Sequence, residues 1–72
     1  MKIKVVYGYE PTKTKFLEVD NKFKTILTAW GLDCASVWQM LVDELHQIVR
    51  SKVEGNRYAV YDVDSKKLMY LW

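Results

Sequence analysis

Seventy-two residues, half of them apolar and 14% aromatic, with a formal net charge of +2, bound the chain to a single domain with a marginal hydrophobic core. The one cysteine, Cys34, excludes an internal disulfide, and the lack of Cys and His at ligand spacing excludes a structural zinc. No apolar run approaches the roughly 18 residues of a membrane span and no signal-peptide pattern opens the chain, so a cytoplasmic protein without a membrane partner is expected, in keeping with one unpaired cysteine.

The charge is uneven. Six lysines (2, 4, 13, 15, 22 and 24) stand against three acids from Met1 to Leu27, a balance of +3, whereas five cations stand against six acids from Thr28 to Trp72, a balance of −1. The positive field therefore sits in the N-terminal third.

Lys2 to Tyr9 alternates, with Ile3, Val5, Tyr7 and Tyr9 on one face and Lys2, Lys4, Val6 and Gly8 on the other, the period of a strand built from good strand formers. Glu10 to Lys13 breaks it, because Pro11 removes a ladder donor and favours a turn. Thr14 to Val19 resumes extended structure with Leu17 and Val19 on one face. A connection this short requires an antiparallel hairpin, and Lys13 and Lys15 suit an edge strand that resists pairing with strangers.

Asp20 and Asn21 are both capable N-caps. Phe23, Ile26, Leu27 and Trp30 then recur at helical spacing and Gly31 can end the run, which predicts a short helix from Lys22 to Trp30; the competing reading continues the second strand through Phe23. Gly31 to Ala35 connects to a long helix from Ser36 to Glu54, with Asp33 as an alternative start. On it Trp38, Leu41, Val42, Leu45, Val49, Lys52 and Val53 share one side and Gln39, Asp43, Gln47, Arg50 and Ser51 the other. Ser36 and Gln39 form a potential capping box, and Gly55 is placed to end the helix. Arg57 to Val63 and Lys67 to Trp72 read as a second hairpin turning at Asp64-Ser65-Lys66.

Residues 1–72 therefore predict one α+β domain: a two-layer sandwich with a four-stranded, largely antiparallel sheet made of two hairpins, in the order β-β-α-α-β-β, packed by one long amphipathic helix and a short preceding helix. This element order resembles that of ubiquitin-like and protein-G-like β-grasp domains, a likeness of topology that implies no function.

The catalytic inventory is thin. His46 could pair with Asp43 three positions back, but no nucleophile lies within reach by spacing, and Cys34 reads as a small buried hydrophobe. Asp62 with Asp64, and Glu18 with Asp20, share strand faces near turns, where solvation keeps both members alike. Three scattered glycines make no phosphate cradle, and no acid cluster suits a divalent cation. No enzyme activity, cofactor, metal or small-molecule substrate is expected.

The second hairpin is apolar on both faces: Tyr58 and Val60 point one way, Ala59, Tyr61 and Val63 the other, and on the return strand Leu68, Tyr70 and Trp72 oppose Met69 and Leu71. One helical layer covers one face of a sheet, so an aromatic surface is left over. The expected function is a non-catalytic protein-interaction module: a small accessory, inhibitor or subunit protein of the kind phages and mobile elements carry, or a homodimer. It would bind through Tyr58, Tyr61, Tyr70 and Trp72, with the off-stripe Met40. The alternative is nucleic-acid binding through Lys2, Lys4, Lys13, Lys15, Lys22 and Lys24, with sheet aromatics stacking on bases.

Overall fold

A computed structural model describes residues 1–28, 35–55 and 57–72. Trp30, Gly31, Asp33 and Cys34, and with them the expected end of the short helix and the only cysteine, lie outside the described residues.

Four strands form one sheet: β1 (Lys2–Tyr7), β2 (Lys13–Glu18), β3 (Tyr58–Asp62) and β4 (Leu68–Leu71), in the spatial order β2-β1-β3-β4. The two hairpins are as expected, and they meet along an antiparallel β1–β3 seam. In β-grasp domains the first strand lies beside the last, in parallel; here it lies beside β3, so that likeness stops at element order. Since β2 and β3 both run antiparallel to β1, they are parallel to each other, and the chain between them has to cross over one side of the sheet. That crossover carries both helices. It leaves the other side of the sheet uncovered.

β1 alternates as its sequence dictates. Ile3 and Val5 are fully buried under the helices, and their β2 partners are Leu17 and Lys15. The strand ends at Tyr7 because Gly8 turns the chain with φ of 86°, a conformation without penalty for a residue lacking Cβ.

A 3-10 helix spans Asn21–Leu27 in place of the longer helix expected from Lys22 to Trp30. The Asp20 carboxylate caps it by accepting from the Lys22 backbone N–H at 2.8 Å. Phe23 and Ile26, three apart, are its two buried residues, and residues i and i+3 eclipse in a 3-10 helix. Two anchors therefore fall on one line. The indole N–H of Trp38 donates to the Ile26 carbonyl at 3.2 Å, joining this segment to the long helix.

The long helix, α1 (Ala35–Arg50), buries Val42, Leu45 and Val49 along the expected stripe. Ser36 falls inside its first turn, and the Gln39 amide donates to the Asp43 carboxylate at 2.9 Å rather than reaching back as a capping box would. The helix stops four residues early: the Ser51 hydroxyl bonds the Ile48 carbonyl at 2.6 Å and the Lys52 N–H the Val49 carbonyl at 2.9 Å, a tightened last turn. Lys52, expected on the stripe, is exposed, while Val53 folds back into the core. No helix among the described residues is long and apolar enough to cross a membrane.

The β3–β4 ladder corrects the expected face assignment. Ala59 pairs with Leu71 and Val60 with Tyr70, but an irregularity then brings Tyr61 opposite Leu68. A bulge of this kind adds one residue to a strand and shifts the alternation beyond it. Met69 is thereby driven into the core, and Leu68 changes sides. The turn also differs: the Asp62 carboxylate, not that of Asp64, organises it, accepting from the Ser65 hydroxyl at 2.7 Å and the Ser65 N–H at 3.3 Å. Asp62 is 1% exposed, so it is not the solvated charge its place near a turn implied.

Candidate functional site

The uncovered face of the sheet is built by the residues that alternate with the core. Across the middle runs one row of register partners, Phe16–Lys4–Tyr61–Leu68, with one residue from each strand. Beside it lies a second row, Thr14–Val6–Ala59–Leu71, and on the other side Glu18 pairs with Lys2. Cross-strand neighbours sit about 5 Å apart, close enough to act as one surface. Phe16 is 54%, Leu68 49% and Leu71 67% exposed. Lys4 and Lys2 lie against aromatic rings, with Nζ 5.0 Å from the Tyr61 centroid and 5.6 Å from the Phe16 centroid respectively. A shallow hollow of about 260 Å³ opens between the two rings, lined by Lys4, Phe16, Tyr61, Asp62, Val63 and Lys66.

The sequence-predicted anchors divide between the two sides. Tyr61 is on the uncovered face. Tyr58, Tyr70 and Trp72 are on the helix side, where they form a cluster with side chains of α1. The ring of Trp72 lies 4.9 Å from that of Tyr58, 4.4 Å from Tyr70 and 4.9 Å from His46, and Trp38 meets Tyr70 at 5.7 Å. Tyr58 is buried and its hydroxyl donates to the His46 carbonyl at 3.4 Å. Burial holds its phenol above the usual tyrosine range, against a smaller opposing effect of Arg50. This cluster closes the core. Met40 is exposed on α1, in the other layer of the sandwich from the uncovered face. His46 is a member of the aromatic cluster, and the carboxylate expected to orient it, that of Asp43, accepts from Gln39.

The six lysines also part company. Lys2 and Lys4 are on the uncovered face. Lys13 and Lys15 are opposite Tyr7 and Val5 on the helix side of β2, with the Lys15 ammonium on the Lys52 carbonyl at 3.0 Å. Lys22 is bonded to Glu44 at 2.7 Å, a contact that raises its pKa. Lys24 lies on the 3-10 helix, where its charge helps hold the Asp62 carboxyl below its ordinary range, behind the larger effect of the Ser65 hydroxyl.

Phe16, Leu68, Leu71 and Val6 belong to the face and were not among the expected site residues. A signal for Phe16 was available, since it must oppose Leu17 in an otherwise polar strand. The bulge hid Leu68.

Chemically, the surface offers apolar area, two aromatic rings and ammonium groups that make no ion pair among the described residues. Among the described residues no three His, Cys, Asp or Glu side chains converge on a metal-sized position. The one carboxylate lining the hollow is engaged by Ser65. No protein family, curated protein or solved structure matches the chain.

Proposed function

We propose that the chain is a non-catalytic protein-interaction module that docks a partner on the uncovered face of its sheet, as a small accessory, inhibitor or subunit protein does. The observation that carries this reading is the exposure of Phe16, Leu68 and Leu71 on one continuous side, in a fold whose other side already holds a closed core. Contiguous exposed apolar area marks interaction surfaces, and a mixed aromatic and aliphatic patch with a charged border has the composition of an interface. The test is capture from the native host by the chain and by its Leu71→Lys and Phe16→Ser variants, with folding checked by circular dichroism. Recovery of one partner by the wild type and its loss from both folded variants is the expected result. Retention of that partner by both variants would end this reading.

One observation favours a second reading, single-stranded nucleic acid: Lys4 stands in register between Phe16 and Tyr61, a cation flanked by two rings on which bases could stack. Its weakness is quantitative. Two face lysines imply a slope of log affinity against log salt of about −1.4, too few phosphate contacts for firm binding. Filter binding of oligo-dT and oligo-U at two salt concentrations decides it, and no retention at low salt removes it.

A further inference from the structure

Resting on that docking reading, we infer the chemistry of the partner: an acidic polypeptide segment that places one large apolar side chain in the hollow between Phe16 and Tyr61 and carboxylates on Lys4 and Lys66. At about 260 Å³ the hollow is smaller than the 300–1,000 Å³ of small-molecule sites. It suits a single side chain. Its lining combines the two aromatic residues with Lys4 and Lys66, and the Lys4 ammonium lies over the Tyr61 ring. Neither lysine makes an ion pair among the described residues. Asp62, the one acid in the lining among the described residues, is buried and already accepts from the Ser65 hydroxyl and N–H, so neither cation has a carboxylate partner there. One row away Glu18 stands in register with Lys2, but its carboxylate pairs with the Met1 ammonium at 3.1 Å while the Lys2 ammonium lies over the Phe16 ring.

Charge complementarity then selects among occupants. A second copy laid on the same face would bring Lys2 and Lys4 against their own equivalents, a like-charge contact that disfavours association. A nucleic acid would use the two face lysines, Lys2 and Lys4, but leave Leu68 and Leu71 against polar backbone. A peptide with carboxylates interleaved among apolar residues meets both halves of the surface: its acids reach the β1 lysines and the turn, and its apolar residues cover Leu68 and Leu71 on β4.

The test is heteronuclear NMR titration of the intact chain with three probes: a peptide alternating glutamate with phenylalanine and leucine, its glutamine counterpart, and oligo-dT. The expected result is that the acidic peptide shifts the amides of Lys4, Phe16, Tyr61 and Leu68, that the Lys4→Glu variant binds it at least about tenfold more weakly, the loss of one charge-assisted contact, and that the glutamine peptide, which loses both such contacts, binds the wild type more weakly still. Equal binding of the two peptides at this face would overturn the acidic assignment and leave the docking reading standing. Binding of oligo-dT alone would overturn both. Failure of all three probes to shift these amides, or shifts that grow with protein concentration alone, would also overturn the assignment, the latter in favour of a second copy.

Discussion

Tyr61 pairs with Leu68 across the β3–β4 ladder although its neighbour Val60 pairs with Tyr70. The two-residue step on β4 against one on β3 leaves Met69 without an opposite number, and Met69 turns under the helices, 2% exposed. Met69 and Leu71, two apart on one short strand, thus have opposite duties. Met69→Ala is expected to cost about 2–5 kcal/mol, the range for truncating a buried Met. Leu71→Lys, on the uncovered face, is expected to change stability by no more than about 0.5 kcal/mol. Urea unfolding of the two variants checks the contrast, and similar losses in both would mean that the face assignment is wrong.

Trp72 touches Tyr58, Tyr70 and His46, so its removal takes away three ring contacts together. Trp72→Ala is expected to lower stability by about 2–4 kcal/mol, somewhat below a fully buried Trp because the ring is only half buried. Any loss of partner binding by this variant has to be read against its unfolding curve. Tyr61→Ala, on the other side of the same hairpin, is expected to lose binding at nearly unchanged thermal midpoint.

The Asp62 carboxyl is held below its ordinary range chiefly by the Ser65 hydroxyl, with the Ser65 and Asp64 backbone N–H groups and Lys24 adding to it against the cost of burial. A carboxyl with a lowered folded-state pKa stabilises the fold fully above its unfolded value of about 3.9 and loses that contribution as pH falls from there towards the folded value. The wild type should therefore lose stability below about pH 4 more steeply than Asp62→Asn, which starts lower at neutral pH and responds less to acid. Urea midpoints measured between neutral and acidic pH would show this, and parallel curves for the two proteins would count against it.

Lys66 adopts φ of 60° at the hairpin turn, a left-handed conformation that costs an ordinary L-residue about 1–2 kcal/mol. Asparagine and glycine accept it more readily. Lys66→Asn is expected to raise stability by about 0.5–1 kcal/mol while removing one of the two cations that border the hollow. Stability and acidic-peptide binding should then move in opposite directions, which thermal unfolding beside the NMR titration would reveal.

The periods of two and of about 3.6 residues were enough to read four strands, a long helix and two hairpins, because each element buries one face and the buried positions recur. The apolar surplus of the second hairpin was legible for the same reason. Which aromatics form that surplus was not. Alternation assigns sides only while the ladder stays regular, and one extra residue near Met69 exchanges them. The bulge moves Leu68 and Met69, while Tyr58 and Tyr70, on the regular part of the ladder, joined the core with Val60, and Phe16, on a strand read mainly for its lysines, emerged on the outside. Asp62 was misjudged because a residue near a turn can be enclosed when the turn folds over its own carboxylate. The short helix was misread in pitch, since Phe23 and Ile26 satisfy either geometry at a spacing of three.

The seam between β1 and β3 has a consequence for synthesis. Ile3 lies opposite Asp62 and Tyr7 opposite Tyr58, so β1 is made long before β3, its second neighbour in the sheet, arrives. Closing so long a loop delays assembly. Until the ribosome has released the β3–β4 hairpin, Ile3 and Val5 have no complete shelter, and the newborn chain depends on the lysines around them to stay dispersed.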